Sequence, residues 1–200
     1  MFLRYGIRSV SMDDIATQLG ISKKTIYQFF SEKDELVVAA MDDEVTRTRH
    51  DCELCKKSAK DAIDEIFLTM EQIFDQFSQL NPMVLYDAEK FHPRAFETFR
   101  KMKEEYLLQV IAHNIKRGIK EELYRDDINV DMMSRYRVET MMVPFAMAAA
   151  SPTKFNLVDV VRETMEHFLF GLCTMKGYKL ILKYKEEQLK KRRQEPRFKK

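Results

Sequence analysis

Between Gly20 and Leu36 the chain reads GISKKTIYQFFSEKDEL. Lys23, Lys24, Thr25, Tyr27 and Gln28 crowd into fewer than two helical turns. Side chains of these types can grip nucleic acid in two ways. Lys and Gln reach the hydrogen-bonding edges of bases in the major groove. Lys, Thr and Tyr also hold phosphate oxygens, which fixes position without reading sequence. Just beyond, Ser31, Glu32 and Lys33 stand where a new helix would begin, and a helix N-terminus is an anion site.

Those side chains need a frame. Ser11, Ser22 and Ser31 each stand where a hydroxyl could accept from an unpaired N-terminal N–H. Asp14 and Asp34 follow Ser11 and Ser31 by three residues, a short-armed capping box. Gly20 can close a helix in the left-handed region. The spacing predicts a helix over 12–19, a turn over 20–22, a helix over 23–30, and a third from Ser31 as far as Ser58. Ala16 is small where the first two helices meet, and Ile15, Leu19, Ile21 and Ile26 would pack them together. This is a helix-turn-helix, whose second helix presents its N-terminal outer part to the major groove.

Composition sets the wider bounds. The chain has 200 residues, enough for one large or two small domains with a buried core. With only 5 Gly and 5 Pro, long helices are favoured over strands and turns. The 13 methionines suit a core or an adaptable cavity. Formal net charge is +2, so local clusters rather than bulk charge must identify a partner. Cys52, Cys55 and Cys173, with no signal-peptide layout, read as a reduced, cytoplasmic protein. No apolar run reaches the roughly 18–20 residues that span a bilayer, so no membrane partner is expected.

The rest of the chain reads as helices. In KDAIDEIFLTMEQIFDQFSQL, Ile63, Ile66, Phe67, Met70, Ile73, Phe74 and Phe77 form one stripe. Asn81-Pro82 and His92-Pro93 break the pattern around a short helix. Longer helices are predicted over 94–117, closed by Gly118, and over 130–149 and 156–177. No strand alternation or internal repeat is present, and the charged tail from Lys183 is expected to fray. The fold class is all-α, with a helix-turn-helix domain over 1–45 and a helical domain over 46–200.

SVSMDDIATQLGISKKTIYQFFSEKDELVVAAM closely resembles the DNA-binding segment of the tetracycline-repressor (TetR) family, and the likeness extends over residues 2–41. The resemblance implies a dimeric transcriptional regulator, usually a repressor, that binds a palindromic double-stranded DNA operator. It implies contacts from Ser11, Ser22, Lys23, Lys24, Thr25, Tyr27, Gln28 and Lys33. Lys24 departs from the small Gly or Pro usual at its position. Before the motif, only MFLRYG corresponds to the last turn of the family's first helix. That helix would cover Ile15, Ile26 and Phe30, so the chain as numbered is expected to bind DNA poorly.

The same resemblance assigns the remainder to effector binding and homodimerisation. The dimer contact is expected on the last two long helices, with Val158, Val161, Met165, Phe168, Leu169 and Leu172 as its stripe and Gly171 allowing close approach. Phe67, Met70, Phe74, Met83, Tyr86, Phe91, Tyr106, His113, Tyr136, Met141 and Phe145 are the candidate lining of a pocket for a small apolar or aromatic effector.

Other chemistry finds little support. There is no Gly-rich phosphate loop, nucleophile elbow or HExxH pair, so no enzyme, cofactor or metal is expected. Glu89 and Glu139 are the residues from which a helical carboxylate site would be built. Cys52 and Cys55, with His50 nearby, are half of a zinc set. The competing reading is a helical protein-interaction or ligand-binding module with a degenerate DNA-binding head.

Overall fold

The computed structural model describes residues 1–194, with side chains to residue 190, and every regular element within it is a helix. The end of the basic tail, residues 195–200, lies outside the described residues.

The head consists of α1 (Phe2–Tyr5), α2 (Met12–Leu19) and α3 (Lys23–Tyr27). Ser11 and Asp14 form a reciprocal capping box at the start of α2. Gly20 ends α2 at φ 66, returning its N–H to the Ala16 carbonyl. Ser22 caps α3 by accepting from the Thr25 N–H at 3.1 Å. α3 stops at Tyr27, short of the Phe30 expected from the pattern.

Ile15, Ala16 and Ile26 are buried, whereas Leu19 and Ile21 are exposed and do not hold the pair together. Phe2, Ile7, Val10 and Met12 take that role. The chain itself thus covers Ile15 and Ile26 and half-buries Phe30, contrary to the expectation that they would lie open.

α4 (Lys33–Ser58) is one unbroken helix. Ser31 does not cap it. Its N–H donates to Glu35 instead, Asp34 is drawn to His92 Nδ1 at 2.8 Å, and Glu32 occupies the N-cap position. α4 carries Val37 and Met41 into the head core. That core also contains Val84, Leu85 and Ala88 of α6 (Val84–Phe91) and Ala95 of α7 (Pro93–Lys101). A boundary at residue 45 therefore falls inside one helix and beside one shared core.

α5 (Ala62–Phe77) lies at the centre of the body. Asp61 caps it, accepting from Ile63 and Asp64 at 2.9 Å each. Its stripe buries Ile63, Phe67 and Met70, and each such side chain withdrawn from water contributes about 1.5–3 kcal/mol. α4 packs along α5 on one side.

The helix expected over 94–117 is α7, a π-helical segment at Met102–Leu107, and α8 (Leu108–Lys120). Gly118 does not close it; α8 runs two residues further. The segment expected over 130–149 is two helices, α9 (Val130–Thr140) and α10 (Val143–Ala150). Pro144 explains the break, since it has no N–H for the Thr140 carbonyl.

The last expected helix also divides, into α11 (Leu157–Leu172) and α12 (Met175–Gln194). At the junction the Thr174 N–H donates to the Leu123 carbonyl and the Arg125 N–H to the Leu172 carbonyl, each at 2.9 Å. Gly177 lies in the first turn of α12 and does not end a helix; a Cβ there would sit 2.2 Å from the Leu123 oxygen. α5 packs against α8, α11 and α12 in addition to α4.

Candidate nucleic-acid interface and internal cavity

The head's outer face is built by the turn and α3. Lys24, Tyr27 and Gln28 are exposed, as are Ser11 and Ser22. Lys23 is exposed too, and its ammonium pairs with Asp13 at 2.7 Å. An exposed pair of this kind contributes little, so a phosphate can compete for the lysine. Thr25 is half-buried and its hydroxyl lies 2.8 Å from that of Ser22, so both hydroxyls serve the cap.

Lys33 is a correction to the expected phosphate contact. Its ammonium donates to the Ile7 carbonyl at 2.6 Å and stands over the Phe2 ring, where burial lowers its pKa. It ties α4 to the head core. One exposed head residue escaped the sequence reading: Phe29, 76% exposed, is turned outward because α3 ends two residues earlier.

Polar contacts fasten this head and the start of α4 to the body. The Asn81 N–H donates to the Leu3 carbonyl at 2.8 Å, the Arg8 N–H donates to Asp87 at 3.3 Å, and Asp34 meets His92.

The body holds a cavity of about 330 Å³ lined by residues of every helix from α4 to α11 and of the π segment. That is the lower end of the range for small-molecule sites. Of the sequence candidates, Met141 and Phe145 line it. Phe67, Met70 and Phe74 are buried in the neighbouring packed clusters instead. Met83, Tyr86, Phe91, His113 and Tyr136 are exposed on the outside. Tyr106 donates to the Arg49 carbonyl at 3.2 Å. These corrections share one cause: helical spacing marks an apolar face without saying whether it meets a neighbour, a void or solvent.

The lining contains polar groups that no apolar pattern could flag, among them Thr48, Gln72, Asn114 and Arg137. Cys52 and Cys55 also line it. Burial pushes the Cys52 thiol up to about 12 and raises Cys55 as well, so both stay protonated at neutral pH and are poor nucleophiles.

The expected dimer stripe is likewise corrected. Val161, Met165, Leu169 and Leu172 are buried inside the protomer, where α11 packs on α5. Val158 is half-buried against one internal cluster. Phe168 lines the cavity, with Tyr136 stacked on it at 6.4 Å. The outward residues of α11 are Asp159, Glu163, His167 and Gly171.

Residues 1–40 match the family described as bacterial regulatory proteins, tetR family. A curated relative, the uncharacterized HTH-type transcriptional regulator YvaF of Bacillus subtilis (strain 168), is 26% identical over 108 residues. That alignment covers 53% of this chain, and the chain spans 57% of the relative's own length. Among solved structures, a transcriptional regulator from Saccharomonospora viridis in complex with choline superimposes with a TM-score of 0.68 at 18% identity, covering 84% of this chain and 88% of that one. FadR from Bacillus subtilis in complex with stearoyl-CoA gives 0.58 at 17% identity, covering 86% and 93%. The family and these relatives are regulators of transcription, not enzymes. Residues 1–40 thus carry the DNA-binding segment of the tetR family of bacterial regulatory proteins, and the fold along most of the chain is one it shares with solved transcriptional regulators.

Proposed function

We propose that the chain is a transcriptional repressor that binds a palindromic operator as a dimer and releases it when a small ligand enters the central cavity. The observation that carries this reading is α4: one unbroken helix contributes Met41 to the head core and also Val45, Thr48 and Cys52 to the cavity wall. Lys23, Lys24, Tyr27 and Gln28 would meet the groove, with Ser11 at a phosphate and Ser22 and Thr25 holding the helix end. Residues 1–45 act as the reading unit and the remainder as the ligand and dimer unit, in a cytoplasmic protein; no helix among the described residues is long and apolar enough to cross a membrane. The ligand must bind the non-operator spacing of the two heads more tightly than the operator spacing, since equal affinity shifts nothing. Complexes of the same fold with choline and stearoyl-CoA support a ligand role for the cavity.

Genomic duplex fragments offered to the full-length protein at two salt concentrations should enrich one palindromic site. In the Lys23→Ala/Tyr27→Ala double variant, affinity for that site should fall at least about tenfold, and if Lys23 neutralises one phosphate in each half-site the salt slope should lessen by about two for the dimer. Diffuse, salt-sensitive binding by both proteins would instead favour the helical ligand-binding module with a degenerate head.

For the dimer, a different surface now takes the place of the buried stripe. Met175, Tyr178, Leu182 and Leu189 of α12 are all at least 43% exposed and follow one line along the helix. A line of this spacing suits a partner helix. Leu182→Glu should give monomers in sedimentation while leaving the helical content unchanged. A dimer of undiminished strength would move the interface elsewhere.

A further inference from the structure

Among the described residues, the cavity wall holds a guanidinium with neither an ion pair nor a hydrogen bond. Arg137 projects into the cavity from α9, and among the described residues no carboxylate lies within ion-pairing distance of it. Its neighbour is the Phe168 ring, 5.9 Å from the guanidinium carbon. Withdrawal from water lowers its pKa to about 10, so it remains charged at neutral pH. The carboxylates on the same wall are already satisfied. Glu65 pairs with Arg117 at 3.0 Å, Glu44 with Arg47 at 3.4 Å, and Asp51 accepts from Gln76 at 2.9 Å. Arg47 is further held by Asp43 at 2.7 Å. Asp51 has no cationic partner but keeps its bond from Gln76, so Arg137 is the lining charge whose side chain has neither an ion pair nor a hydrogen bond among the described residues.

A half-buried guanidinium without an acidic partner gains from an anion brought beside it, and a planar carboxylate matches its fork of donors with two parallel bonds. A phosphate monoester would bring a second negative charge with no partner here. Phe145, Val161 and Met165 make the facing walls of α10 and α11 apolar. We propose that the ligand of this cavity is a small organic carboxylate, its head on Arg137 and its apolar body against Phe145, Val161 and Met165. This rests on the cavity being the effector site, and it adds the chemical class of the effector.

The test uses three probes with the same apolar chain, decanoate, decanol and decyltrimethylammonium, titrated calorimetrically into the full-length protein. Decanoate should bind most tightly. Arg137→Met should weaken decanoate by about 10- to 100-fold, the loss of a charge-assisted interaction, and leave decanol unchanged. Unliganded Arg137→Met should melt no lower than the parent, and decanoate should raise the melting temperature of the parent alone. If none of the three probes binds the parent protein, the effector cavity itself is overturned. If decanol or the ammonium binds at least as tightly as decanoate, or if Arg137→Met binds decanoate undiminished, the cavity stands and its assignment to carboxylates is overturned.

Discussion

Arg117→Met should cost about 3–5 kcal/mol of folding stability, because it strands a buried carboxylate. The Arg117 guanidinium makes three contacts at once: Nη1 to Glu65 at 3.0 Å, Nε to Glu121 at 2.7 Å, and Nη2 to the Ala59 carbonyl at 3.2 Å. The Glu65 side chain is only 5% exposed. Glu121 in turn accepts the Ala62 N–H at 2.7 Å, so one arginine fixes the end of α8 against the start of α5. Domains of this size are stable by roughly 5–15 kcal/mol in total, so the loss should be plain in urea unfolding. Adding Glu65→Gln removes the stranded charge, and the double variant should recover more than half of the deficit. A loss below about 1 kcal/mol in the single variant would mean that cavity water already solvates Glu65. Since Glu65 also lines the cavity, the single variant should bind decanoate less well by like-charge repulsion.

Gly118→Ala is the second large effect. A Cβ at Gly118 would lie 2.0 Å from the nearest ring carbon of Tyr124. The ring cannot retreat: Tyr124 is 1% exposed, and its hydroxyl donates within reach of Asn114 at 3.2 Å and the Ala62 carbonyl at 3.3 Å. Forcing a methyl into such a site should cost about 3 kcal/mol or more. Gly171 supplies the control. A Cβ there meets nothing within 4 Å, so Gly171→Ala should gain up to about 1 kcal/mol from helix propensity alone. Equilibrium unfolding of the two variants should move in opposite directions. A neutral Gly118→Ala would show that the turn from α8 to Tyr124 repacks freely.

The contrast between those glycines also marks what the sequence could reveal. Ser11, Gly20 and Ser22 were legible because their bonds close within about one turn, so local residue type suffices. Ser31 was not, because Asp34 is claimed by His92, 58 positions further along. Gly118 and Gly177 read as helix ends, and their real neighbours, Tyr124 and Leu123, arrive only when the chain folds back. The stripe from Val158 to Leu172 was correctly seen as apolar, but periodicity does not say whether α5 or a second chain covers it. Phe145 and Met141 were found among the cavity residues, while Arg137 was missed because an isolated arginine on a helix reads as a solvated one. Lys33 shows the reverse: a basic residue beside a reading head reads as a phosphate contact until the Ile7 carbonyl is seen beneath it.

The unbroken course of α4 has a geometric consequence. Its 26 residues span about 39 Å at about 1.5 Å per residue. A tilt of only about 5° at the cavity end would then carry the head end about 3.4 Å, the axial step of one base pair. In a two-fold pair the displacements oppose each other, so the separation of the heads changes by about two such steps. In the dimer proposed above, a small adjustment at Val45 or Thr48 would thereby become a mismatch of whole base pairs.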